Sequence, residues 1–149
     1  IILNIDFPSL LLDYADIPQP HSFQGKSFRS NLMLETPSDW RKNMYYRYYA
    51  HAENRPSHMG IRTNQHKLIF YYGHPLGLKG TYTKKTTPPA WEYYDLENDP
   101  MELSNQYNNI ENKEIISQLK RDLLNLRTKL GDEKTDSDEL KVILENHWE

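Results

Sequence analysis

Five of the six histidines of this chain (His21, His51, His58, His66 and His74) share a stretch with most of its arginines and tyrosines. Residues 1–91 carry a net charge of +5, and residues 92–149 one of −8. Imidazoles, guanidiniums and phenols gathered on a basic sheet suit an anionic, sugar-like ligand, whereas the acidic remainder suits a solvated outer face. The Lys84-Lys85 pair could steer such a ligand. Metal chemistry has no comparable signature. There is no cysteine for a thiolate-bound zinc or a disulfide, His66 beside Lys67 is not ligand spacing, and no helix carries two histidines one turn apart. Basic and aromatic residues also occur together in proteins that stack single-stranded bases. The overall charge of −3 and the lack of an RNP-like or Gly-rich phosphate motif weigh against that reading.

A sheet must position these groups. Residues 43–50 (NMYYRYYA), 58–63 (HMGIRT), 67–72 (KLIFYY) and 91–96 (WEYYDL) are strand candidates rich in β-branched and aromatic residues. Asn64-Gln65 separates the second from the third, which reads as a hairpin, although Asn-Gln is a weaker turn signal than Asn-Gly. Paired tyrosines (Tyr45-Tyr46, Tyr48-Tyr49, Tyr71-Tyr72, Tyr93-Tyr94) put one ring on each face of a strand. Arg62 is expected to pair with an acid such as Glu92 or Asp95. The connection over 73–89 is longer than most in a compact domain, which predicts a functional or mobile loop.

Helices flank the sheet. Ile115, Ile116, Leu119, Leu123, Leu126 and Leu130 recur at three- and four-residue steps, and Gly131 follows as a C-cap. Ser137 to His147 forms a shorter helix. Near the start, Asp6 is expected to cap a helix that carries Pro8 in its first turn. Ile5, Leu10, Leu11 and Leu12 make that helix apolar nearly all round, so burial on more than one side is expected. Little in 149 residues can cover it, and a neighbour supplied by a longer polypeptide is expected. Ser38 to Arg41 is expected to be exposed apart from the Trp40 ring. No apolar run approaches the roughly twenty residues needed to span a bilayer. The pattern is α+β: an antiparallel sheet of about four strands packed by a long C-terminal helix.

The order of motifs resembles the C-terminal portion of the type I sulfatases, formylglycine-dependent sulfate ester hydrolases of the alkaline phosphatase superfamily. The segments that carry the likeness are IDFPSLLLDYA (5–15), QGKSF (24–28), Asp39-Trp40-Arg41, GIRT followed after three residues by KLI, and YDLENDPMELSNQY (94–107). The most specific is the last, with Tyr94, Asp95, Leu96, Asp99, Pro100, Glu102 and Asn105. HMGIRT with KLIFYYG and the long Pro/Lys loop looks most like bacterial glycan sulfatases of the N-acetylglucosamine-6-sulfatase kind.

The resemblance implies that residues 1–34 end a large α/β domain and residues 35–149 form the smaller C-terminal subdomain. It implies a parent enzyme that hydrolyses sulfate esters of glycans, with a formylglycine nucleophile and a calcium ion, in the periplasm or outside the cell. This chain has no C/S-x-P-x-R segment and no set of aspartates for calcium. The nucleophile and metal ligands are therefore expected upstream, this chain alone is expected to be inactive, and its partners are the upstream catalytic domain and a sulfated carbohydrate, with no nucleic acid or membrane. The resemblance also singles out His58, immediately before the GIRT strand, to hydrogen-bond a sugar hydroxyl or, when protonated, to help hold the sulfate. His51 and Arg55, in the loop leading to it, are further candidates for substrate contact. A stand-alone carbohydrate-binding module on the same sheet is the alternative.

Overall fold

The computed structural model describes residues 1–149 apart from Glu53 and 78–82. The chain divides into two compact units, Ile1–Lys42 and Asn43–Glu149.

The first unit holds helix α1 (Asp6–Tyr14) and the single turn α2 (Arg29–Leu32) around a small core of Leu10, Phe28 and Trp40. Asp6 does not cap α1 as expected. Ile5 occupies the N-cap without a side-chain bond, while the fully buried Asp6 carboxylate accepts from the N–H of Leu3 (2.7 Å) and of Lys26 (2.9 Å). Both terminal nitrogens of Arg41 also donate to it, Nη2 at 2.8 Å. A carboxylate taken out of water needs a charged partner, and this one draws Arg41, expected outside, down to 17% side-chain exposure. Burial pushes the Asp6 carboxyl up, but Arg41 and the two backbone donors outweigh it and hold it below the usual range. As expected for a helix with more apolar surface than these residues can cover, α1 is buried on one side alone. Only Asp6, Ser9 and Leu10 are buried, and Leu11 is 68% exposed, because the unit has one small core on one side of the helix.

The second unit is the expected α+β body. Strands β1 (Asn43–Tyr48), β2 (His58–Thr63), β3 (His66–Tyr71) and β4 (Ala90–Asp95) form an antiparallel sheet in sequence order. The Asn64-Gln65 turn closes without left-handed backbone at either residue. Instead the Thr63 hydroxyl accepts from the N–H of Gln65 (3.1 Å) and of His66 (2.8 Å), so a side chain supplies the turn's acceptor. Alternation then sends Met59, Ile61, Leu68, Phe70 and Trp91 to one face. There they pack against Ile116, Leu119 and Leu123 of α3 (Lys113–Leu130) and Leu140 and Ile143 of α4 (Asp138–His147). Burying each such side chain contributes about 1.5–3 kcal/mol as an upper figure. Gly131 ends α3 with φ 71°, and the Ser137 hydroxyl caps α4 through the N–H of Leu140 (3.2 Å).

Both edge strands are fastened. On the core side of β1, Arg47 meets Asp132 (2.8 Å) and Asp136 (3.0 Å), and Arg127 of α3 meets Asp136 (2.5 Å). Tyr45 also donates to Asp132 (2.7 Å). At β4 the YDLENDPMELSN motif closes the edge. The Asn105 amide accepts from the N–H of Tyr93 (3.0 Å) and donates to the carbonyl of Trp91 (3.1 Å), while the Gln106 N–H reaches the carbonyl of Tyr93 (2.9 Å). Asp95 and Asp99 accept from the backbone N–H groups of the turn that brings Asn105 there.

Candidate functional site

The sheet face turned away from α3 carries the polar groups. His58, Gly60 and Arg62 of β2 share it with Tyr46 and Tyr48 of β1, Lys67 and Tyr71 of β3, and Glu92 of β4. Register places Tyr48, His58 and Tyr71 directly opposite one another. The half-buried His58 ring stacks on Tyr48 (5.4 Å between centroids), tilts against Tyr71 (5.0 Å) and meets Tyr46 edge-on (5.6 Å).

This setting fixes the imidazole's chemistry. Nδ1 lies 2.7 Å from the carbonyl of Pro56, an acceptor only, so Nδ1 carries the proton and donates. Nε2 has no partner among the described residues and presents a lone pair. Burial holds the His58 pKa below the ordinary imidazole range and Lys67 adds to this, while the Pro56 carbonyl and Glu92 offset it only in part. A neutral ring with a free Nε2 is an acceptor for a hydroxyl. The first role expected for His58, the hydroxyl contact, is the one this uncharged state serves. Tyr71 donates to Glu92 (3.0 Å), and its phenol is pushed well up, first by burial and then by that carboxylate.

His51 and Arg55 part company. Arg55 is exposed, with its guanidinium 5.2 Å from the centroid of Tyr48, so it joins the His58 cluster through that ring. His51 is fully buried and turned inward. Its Nδ1 accepts from the Ser57 N–H (3.3 Å), and its Nε2 donates to the carbonyl of Lys85 (2.8 Å). Both ring nitrogens are occupied, so His51 fastens the loop at 51–57 to the segment at Lys85 and offers no polar atom to a ligand. Arg62 pairs with Glu102 at 3.8 Å, not with Glu92 or Asp95, because the motif's turn carries Glu102 over the sheet, where it also grips Lys67 at 2.5 Å. The middle of the long loop, 78–82, lies outside the described residues.

Sequence reasoning missed the aromatic frame of His58. Alternation places Tyr46 and Tyr48 on one face, but which residue of β2 they oppose depends on a register that the long polar loop between the strands does not fix.

The described residues do not fit a calcium site. Among the described residues no three His, Cys, Asp or Glu side chains converge to hold a metal ion; the buried Asp6 is taken by Arg41, and the half-buried Asp132 and Asp136 are each taken by Arg47 and Arg127.

The chain matches the protein family described as N-sulphoglucosamine sulphohydrolase, C-terminal, over residues 1–129. It is 35% identical over 150 residues to N-acetylglucosamine-6-O-sulfatase of Bacteroides thetaiotaomicron, covering 97% of this chain and 24% of that protein. It is 31% identical over 119 residues to an arylsulfatase of Clostridium perfringens, covering 80% of this chain and 21% of that protein. Its fold is similar, with a TM-score of 0.71 and 33% identity, to a protein solved in complex with its substrate D-glucosamine-2-N,6-O-disulfate, over 89% of this chain and 25% of that one. The chain thus spans under a quarter of the length of the curated relatives it matches. A sequence match over most of the chain and a shared sheet-and-helix body agree: the chain belongs to the sulfatase family, in the C-terminal region described for N-sulphoglucosamine sulphohydrolase.

Proposed function

We propose that this chain is the C-terminal region of a bacterial glycan sulfatase, periplasmic or secreted, and that it supplies one wall of the substrate site. The formylglycine nucleophile and calcium ion come from elsewhere in the polypeptide: the sequence has no C/S-x-P-x-R segment, and among the described residues no three His, Asp or Glu side chains converge. In this reading His58 accepts a hydrogen bond from a sugar hydroxyl through Nε2, and Arg55 faces an anionic group at the rim. The observation that carries it is the neutral His58 ring, fixed by Pro56 and framed by three tyrosines, standing at the position the family resemblance singled out. The 35% identity to an N-acetylglucosamine-6-O-sulfatase supports a sulfated glucosamine as the sugar.

The test is His58→Ala in the complete sulfatase, assayed on glucosamine 6-sulfate and on an aryl sulfate that has no sugar hydroxyl. Loss of one neutral hydrogen bond of about 0.5–1.5 kcal/mol lowers kcat/KM roughly 2- to 12-fold. That loss is expected on the sugar and not on the aryl sulfate. Equal effects on both substrates would remove His58 from sugar recognition.

A further inference from the structure

The sheet face turned away from α3 continues well beyond His58. His58, Gly60 and Arg62 are alternate residues of β2, so about 13 Å of strand separates the backbone positions of His58 and Arg62. The ground between them is aromatic. At Gly60 the place of a Cβ is hemmed in by Cε1 of Tyr46 at 3.1 Å and Cζ at 3.4 Å, so the half-buried Tyr46 ring lies across the strand beside His58. At the far end Lys67 and Arg62 stand directly opposite on adjacent strands. Glu102 is committed to Lys67 at 2.5 Å and meets Arg62 only at 3.8 Å, leaving the Arg62 side chain 48% exposed. The β4 carboxylate of this face is engaged as well: Glu92 accepts from Tyr71. The other end carries the exposed Arg55 over Tyr48.

We propose that this strip is a track for an anionic glycan longer than one sugar, with Arg62 reading a charged substituent on a ring beyond the one at His58. Pyranose rings offer apolar faces to tyrosines, and their sulfate or carboxylate groups offer charge to a guanidinium. A strip with an exposed arginine at each end and aromatic rings between complements such a chain, and its length exceeds a single ring. The inference rests on the glycan reading of His58, but its readout is separate: it concerns the gain from added sugars, not turnover of one.

Calorimetry on this chain uses heparin tetrasaccharide (sulfates and carboxylates), tetragalacturonic acid (carboxylates alone), chitotetraose (no anion), glucosamine 6-sulfate and decathymidylate. At least one anionic tetrasaccharide is expected to bind about tenfold more tightly than chitotetraose and than the monosaccharide. Whether the carboxylate-only chain shares the gain identifies the substituent read. Arg62→Gln is expected to bring the tetramer-to-monosaccharide ratio close to one, and Arg62→Lys, which keeps the charge, to restore most of it. Arg121→Gln, which removes the same charge from α3, leaves the ratio unchanged. Equal affinity for charged and neutral tetramers, no binding of any tetramer, a ratio indifferent to Arg62→Gln, or preference for decathymidylate would each overturn the proposal. A normal His58→Ala effect in the sulfatase alongside any of these outcomes would leave the single-sugar reading standing.

Discussion

Replacing Asp132 with alanine tests how β1 is held, and the cost follows from its partners. The carboxylate accepts from Tyr45 (2.7 Å), Arg47 (2.8 Å), Tyr49 (2.8 Å) and Arg127 (3.4 Å). Both guanidiniums are 3% exposed, so Asp132→Ala leaves two buried cations sharing Asp136 alone. Removing one partner of a buried ion pair costs about 3–5 kcal/mol. Asp136 keeps Arg47 at 3.0 Å and Arg127 at 2.5 Å, and the bond to Tyr49 is solvent-exposed, so the lower end applies. About 3 kcal/mol corresponds to a fall in Tm of roughly 10–15 °C for a body of this size. Urea unfolding followed by circular dichroism measures it, with Arg47→Ala and the double variant completing a cycle whose coupling should exceed about 1 kcal/mol. A loss below about 1 kcal/mol for Asp132→Ala, or additivity of the two changes within about 0.5 kcal/mol, would refute the claim that this cluster fastens the strand.

Acid should loosen the same clamp. Burial pushes the Asp132 carboxyl up, but Tyr45, Tyr49 and Arg47 outweigh it and hold it below its unfolded value, so its stabilisation is complete above about pH 4 and is lost as pH falls through the folded value. A urea midpoint that does not fall between pH 5 and pH 2.5 would contradict this. His58 has a folded pKa depressed mainly by burial, so its contribution is full above about pH 6.5 and declines as pH falls below that. NMR should show its ring neutral and protonated at Nδ1 at pH 6.5, and a midpoint above that pH would sink the assignment. Gly60→Ala would set a Cβ 2.7 Å from the carbonyl oxygen of Leu68 and 3.1 Å from Tyr46. It should cost about 1–3 kcal/mol and shift the Tyr46 ring resonances, whereas unchanged resonances would mean the ring does not lie there.

Local periodicity carried the long helix, its Gly131 end and the short helix after Ser137, because each is decided within a few residues. The hairpin was legible for the same reason, although Thr63 rather than the turn pair supplies the acceptor. What stayed hidden depends on partners far along the chain. Asp6 has the residue type of a cap, and only Arg41, 35 residues on, makes it a buried acid. His51 looks like a polar loop residue until the carbonyl of Lys85, 34 residues later, is brought to its Nε2. Arg62 finds Glu102, not the nearer Glu92 or Asp95, because the turn built by Asp95 and Asp99 redirects the chain back over the sheet. The surroundings of His58 were half legible: face came from alternation, register did not.

Asn105 sits where a fifth strand would otherwise add. Its amide, with the N–H of Gln106 and Asp99, occupies the outward carbonyls of Trp91, Tyr93 and Asp95 and the outward N–H of Tyr93. A naked edge with these aromatic residues would be a template for intermolecular strand addition and fibril growth. One asparagine in the most recognisable stretch of the sequence thus closes an edge that would otherwise be open to another strand.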